Sequence, residues 1–115
     1  MKRNKYRAVP TIVDGLRFHS KGEAARWQEL KLLERAGVII ELDRQVPYSL
    51  CVNGVDICTY TADFAYFEKE ERIVEDFKGF RTAEYRLKAK LMKALLGITI
   101  RETGKGTWHP RKKAA

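Results

Sequence analysis

The stretch Arg72-Ile73-Val74-Glu75-Asp76-Phe77-Lys78-Gly79 is rich in β-branched and aromatic residues and closes on a turn signal, which predicts a strand over about 72–77. Side chains alternate along a strand, so Val74, Asp76 and Lys78 share one face and Ile73, Glu75 and Phe77 the other. A second stretch, Tyr60-Thr61-Ala62-Asp63-Phe64-Ala65-Tyr66, lies within a strand-like run from Val55 to Phe67. The same alternation puts Tyr60, Phe64 and Tyr66 on one face and Asp63 with Thr61 and Ala65 on the other. Aspartate has poor β propensity, and a buried carboxylate without a partner is costly. Asp63 therefore either lies on an exposed outer face or meets a compensating group.

Working outward, Val38 to Leu42 and Val46 to Val52 also read as strands. Asn53-Gly54 is a two-residue hairpin turn that pairs Val52 with Val55 and sets Cys51 opposite Asp56. Cys51 and Cys58 are then not cross-strand partners, and two reduced, half-buried thiols are expected. Thr11-Ile12-Val13 and Leu16-Arg17-Phe18 form a short hairpin around Asp14-Gly15. Ser20, with Glu23 three residues on, has capping-box spacing and starts a helix over about 21–36 that Gly37 closes. Thr82 caps a second helix to Leu96, Gly97 stops it, and Ile98 to Arg101 reads as one more strand. The order is helix, β-meander, helix, strand. That is the α/β class in its α+β form, a mixed sheet packed by helices. A single domain over 11–102 is expected, between a basic arm at 1–10 and a basic, flexible tail at 103–115.

The chain of 115 residues carries a net charge of +8, unevenly placed. Residues 78–115 hold eleven Lys/Arg against Glu84 and Glu102, a surplus of nine, which leaves residues 1–77 at −1. Such asymmetry suggests a polyanionic partner, of which nucleic acid is the usual one, although basic tails are often merely solvated. No run approaches the roughly 20 apolar residues of a membrane span. Met1-Lys2-Arg3-Asn4-Lys5 leads into no apolar leader, so a cytoplasmic protein with no membrane contact is expected.

If the strands of Asp63 and Asp76 pair, the two carboxylates converge on one cation, with the Phe77 carbonyl as a further hard oxygen ligand suited to magnesium. Lys78 would then stand beside the metal, able to position an attacking water and balance charge growing on a phosphorane. An ordinary cross-strand salt bridge accounts for acid-x-Lys spacing equally well. Glu23 shares the helical stripe of Trp27 and Leu30 and so faces the core; it either supplies a third acid or reaches back to the Ser20 amide, and the two roles are compatible. On the second helix Leu87, Leu91 and Leu95 form the expected apolar edge, and the helical wheel puts Lys88 between Leu95 and Met92. Lys88 is either a snorkelling lysine or an active-site cation. Arg86, Lys90 and Lys93 occupy a separate stripe and, with Arg81, are expected to contact DNA phosphates or to be solvated.

Glu23 on a first helix, Asp63 on one strand, Asp76-Phe77-Lys78 on the next and then a basic helix together resemble the PD-(D/E)xK nuclease superfamily, over roughly residues 11–100. Asp14-Gly15-Leu16-Arg17-Phe18-His19-Ser20-Lys21-Gly22-Glu23-Ala24, Thr61-Ala62-Asp63-Phe64-Ala65-Tyr66 and Val74-Glu75-Asp76-Phe77-Lys78-Gly79 look like a family of small phage and prophage proteins of that superfamily. Those proteins are compared with Holliday-junction resolvases and with the endonuclease subunit of certain transposases. The resemblance implies a restriction-endonuclease-like core and phosphodiester hydrolysis with magnesium or manganese. It implies Asp63 and Asp76 as metal ligands, Lys78 as catalytic lysine and Glu23 as accessory acid. Ala62 stands where the motif's name has proline, a residue with no chemical part. The expected enzyme is a DNA endonuclease acting on branched DNA in a bacterial host, as a homodimer or beside phage replication or packaging proteins. A nicking nuclease directed by a partner, and a non-catalytic DNA-binding module, remain alternatives.

Overall fold

Turns and caps fix where the elements begin in the computed structural model, which describes residues 10–104. Asp14 and Gly15, at φ 51° and 75°, join β1 (Thr11–Val13) to β2 (Leu16–Phe18) in the expected hairpin. Ser20 caps α1 (Lys21–Arg35) by accepting the Glu23 N–H at 3.1 Å, and Thr82 caps α2 (Ala83–Leu96) by accepting that of Tyr85. Gly97 ends α2 at φ 70°, a left-handed conformation that strains any residue with a Cβ.

The main sheet has the order β3 (Ile39–Val52), β4 (Val55–Glu68), β5 (Glu71–Phe77), β6 (Arg101–Thr103). The first three strands form the predicted antiparallel meander; β6 returns through α2 and lies parallel to β5. The fold is thus a mixed four-stranded sheet with two helices, as the residue pattern predicts. No helix among the described residues is long and apolar enough to cross a membrane.

Several boundaries differ from expectation. The two strands predicted over 38–52 are one: Asp43-Arg44-Gln45 is not a turn, because Glu41 and Gln45 absorb the irregularity at φ 54° and the register shifts between Ile40 and Asp43. The last strand begins at Arg101 rather than Ile98, since Ile98 and Ile100 pack against a core before pairing begins. Thr103, expected to open the tail, instead belongs to β6, and its carbonyl accepts the Lys78 N–H at 2.7 Å. The arm at 1–9 and the chain from 105 lie outside the described residues. The Asn53-Gly54 hairpin has the predicted register, Cys51 opposite Asp56, and both cysteines are free thiols, but Cys51 is exposed rather than half-buried.

Two cores flank the sheet. Phe18, Trp27, Leu30, Ile39, Phe64, Tyr66 and Ile73 bury α1, while Leu50, Tyr60, Ala62, Val74, Tyr85 and Met92 bury α2. Ile73 and Val74 are consecutive, so the cores lie on opposite faces of β5. On β4 strict alternation fails: Tyr60 packs on the α2 side and Phe64 and Tyr66 on the α1 side, although the sequence predicts one shared face. The strand changes face at Asp63, opposite the positive-φ Gln45, where pairing passes from Arg44↔Phe64 to Val46↔Ala62 without a Gln45–Asp63 pair. The apolar edge expected of α2 is also displaced. Leu87 and Leu95 are exposed and the buried residues are Tyr85 and Met92, because a tyrosine and Ala89 supply the stripe that meets the sheet.

Candidate active site

The last β4–β5 pair is Phe64↔Glu75. Beyond it the strands are joined through a side chain: the Asp63 carboxylate accepts the Phe77 N–H at 2.8 Å. This gap in the ladder opens a cleft of about 1050 Å³ between the start of α1, the middle of β4, the end of β5, and α2. Glu23, Asp63, Asp76, Phe77, Lys78 and Lys88 all line it, so every residue singled out for chemistry by its position in the sequence comes to one place. The predicted faces of β5 hold: Asp76 and Lys78 turn toward α2, while Glu75 and Phe77 turn toward α1.

Asp76 is buried and crowded. Its Oδ2 accepts from the Tyr60 hydroxyl at 2.6 Å and lies 3.2 Å from Lys78 Nζ. Burial, and then the hydrogen-bonded Asp63 carboxyl, push its pKa up to about 8. Asp63 is also raised, chiefly by burial, and the neighbouring Glu23 charge adds to the effect. Tyr60 is held strongly protonated by burial and by Asp76, which keeps it a donor. Lys78 Nζ sits 4.1 Å from the centre of the Tyr85 ring, a cation–π contact that holds the ammonium against the wall of the cleft.

Glu23 is buried as the helical stripe predicts. Its capping contact is displaced by one residue: Oε1 accepts the amide of His19 at 2.9 Å rather than that of Ser20. Oε2 is buried with no hydrogen-bond partner among the described residues. A buried carboxylate oxygen that accepts nothing is costly, and a cation is the usual remedy. Clustered carboxylates with an adjacent backbone carbonyl are the hard oxygen donors that magnesium or manganese takes. The residues present therefore fit such an ion, with Asp63, Asp76, Glu23 and the Phe77 carbonyl as the donors to hold it.

The remaining cations divide. Lys88 is three-quarters buried at the rim, 3.2 Å from the exposed Glu84 carboxylate. Arg86, Lys90 and Lys93 are exposed on α2 and outside the cleft. Arg81, expected to meet phosphate, is tied to Glu102 at 2.5 Å. Reading the sequence missed Tyr60, Tyr85 and His19 in the cleft, and Arg26 behind it. Tyrosines in core positions read as packing, and their hydroxyl partners, Asp76 and Glu102, lie 16 and 17 residues away.

The raised Asp76 pKa has a consequence for stability. Its proton is bound more tightly in the folded state, so the stabilisation is full below the ordinary carboxylate range, near pH 4, and is lost as pH rises through about 8. Within that window the slope is up to about 1.4 kcal/mol per pH unit, roughly 5–10 °C in Tm for a domain of this size. Thermal unfolding in chelator should show Tm falling toward pH 8, the decline shallower in Asp76→Asn and reversed by manganese. Equal slopes for wild type and Asp76→Asn would refute it.

No curated protein and no solved structure matches the chain. The family described as Protein of unknown function (DUF1064) matches it over residues 3–112, and the chain belongs to that family.

Proposed function

We propose that the chain is a divalent-metal-dependent DNA endonuclease. The observation that carries the reading is the convergence of Glu23, Asp63, Asp76 and Lys78 in one cleft, with a buried Glu23 oxygen that has no donor among the described residues. A bound magnesium or manganese ion supplies Lewis acidity and a more acidic water. Around it, Tyr60 orients Asp76, and the Phe77 N–H and the raised Asp76 carboxyl orient Asp63. Lys78, braced on Tyr85, presents a positive charge where negative charge develops on phosphate. The resemblance to PD-(D/E)xK nucleases points the same way, through the same residues.

The substrate that fits is branched DNA of phage or bacterial origin. So small a domain offers cations that grip phosphate rather than base edges, so recognition is by shape. Two symmetric cuts at a junction require two active sites about a two-fold axis, hence a homodimer. The test is a panel of labelled linear, nicked, single-stranded and four-way DNA with magnesium or manganese and with chelator. Metal-dependent cleavage that favours branched DNA is expected. Binding that survives chelation, with no cleavage in either metal, identifies a non-catalytic binder. Equal nicking of linear duplex by a monomer identifies a general nicking nuclease.

Lys88 and Lys90 separate rate from affinity. Lys88→Met should lower single-turnover cleavage at least ~10-fold, about 1.4 kcal/mol of transition-state stabilisation, with little loss of stability. Lys90→Met should instead weaken binding across all DNA sequences and shallow the salt dependence by about one unit of slope. Identical single-turnover rates at saturating protein would reduce Lys88 to a surface lysine paired with Glu84.

A further inference from the structure

We infer that His19, Glu23 and Asp63 form a cation position of their own at the mouth of the cleft, one whose imidazole makes it prefer manganese or another first-row transition ion to magnesium. One ligating atom from each of the three lies within 4.8 Å of the others, and Asp76, turned toward Tyr60 and Lys78, is not part of the group. The arrangement follows from the start of α1. Ser20 Oγ and the first Glu23 oxygen complete the cap, through the Glu23 and His19 amides. The second Glu23 oxygen has no part in that cap. It belongs to a side chain only 4 % exposed, lines the cleft, and has no hydrogen-bond partner among the described residues.

His19 is placed differently. Its ring is 85 % exposed, with Nδ1 3.4 Å from Glu23 Oε1, so it can turn onto an ion held by the two acids without disturbing the core. Imidazole nitrogen adds affinity for manganese, iron, cobalt or zinc, whereas magnesium takes oxygen ligands and retains its waters. A position with one nitrogen and two carboxylates is therefore selective where an all-oxygen position is not. Glu23 and Asp63 are common to this position and to the donor set that includes Asp76, which couples the two.

The inference rests on the metal-dependent reading of the cleft, but its test uses no DNA. Manganese and magnesium chlorides are titrated separately into the full chain by calorimetry, and the manganese form is examined by pulsed electron paramagnetic resonance. Wild type should bind manganese at least ~10-fold more tightly than magnesium and show nitrogen coupling from a directly bonded imidazole. His19→Gln should lose the nitrogen coupling and weaken manganese ~10-fold, while magnesium affinity changes less than about twofold. His19 is exposed, so the variant keeps its fold. Glu23→Gln should weaken manganese binding as well. Nitrogen coupling that persists in His19→Gln, or manganese affinity unchanged by it, overturns the inference and leaves the nuclease reading standing. Nitrogen-coupled manganese in a protein that cleaves no DNA does the reverse.

Discussion

Asp76→Asn should abolish cleavage while DNA binding is kept or tightened. On the proposed reading the change removes a metal ligand from the cleft and a negative charge from beside the phosphate, and a loss of at least ~10³-fold, about 4 kcal/mol, is expected. Asparagine is close in shape to the protonated carboxyl that burial and Asp63 already favour at Asp76. The Tyr60 hydroxyl keeps an acceptor there, so the fold should survive. Lys78→Met should lose rate in the same way, since the methionine stem still packs on Tyr85 but carries no charge. Single-turnover rates at saturating magnesium decide the matter, with gel-shift affinity measured in parallel. Near wild-type cleavage by Asp76→Asn or Asp63→Asn would remove these residues from the active site.

The second large effect lies on the other face of β5 and concerns stability rather than rate. Glu75 is fully buried and accepts four hydrogen bonds: from Arg26 Nε at 2.6 Å and Nη2 at 2.9 Å, from the Tyr66 hydroxyl at 2.5 Å, and from Thr103 Oγ1 at 3.0 Å. One carboxylate thereby ties α1, β4 and β6 to β5, immediately behind Asp76. Removing one partner of a buried pair leaves the other charge uncompensated, at a cost of about 3–5 kcal/mol. Against a total stability of roughly 5–15 kcal/mol, Glu75→Ala should leave the protein marginal or unfolded at 37 °C. Arg26→Met should cost a comparable amount. The double variant Arg26→Met/Glu75→Leu should recover much of the loss, because no charge then remains buried. Urea unfolding at constant slope measures all three, and a loss below about 1 kcal/mol for Glu75→Ala would show the cluster to be peripheral.

The amino-acid sequence by itself determined most of the elements and the residues that gather in the cleft. Ser20, Thr82 and Gly97 bound the helices, Asp14-Gly15 and Asn53-Gly54 turn the hairpins, and Asp76-x-Lys78 sits in phase on one face of β5, because caps, turns and alternation act over a few residues. Glu23 was legible for the same reason: the stripe it shares with Trp27 and Leu30 is local to one helix. What only the tertiary structure decided lies where distant segments meet. Strict alternation could not show that β4 changes face at Asp63, since the change coincides with the positive-φ Gln45 on the facing strand, some eighteen residues away in the chain. Nor could periodicity show that α2 meets the sheet through Tyr85 and Met92 rather than through Leu87 and Leu95. Glu75 read as one more strand residue, and its anchoring role depends on Arg26, 49 positions away. Hydrogen bonds and buried charges are satisfied by whatever group the fold brings within 3 Å or so, and that proximity is a property of the packed chain rather than of any window of its sequence.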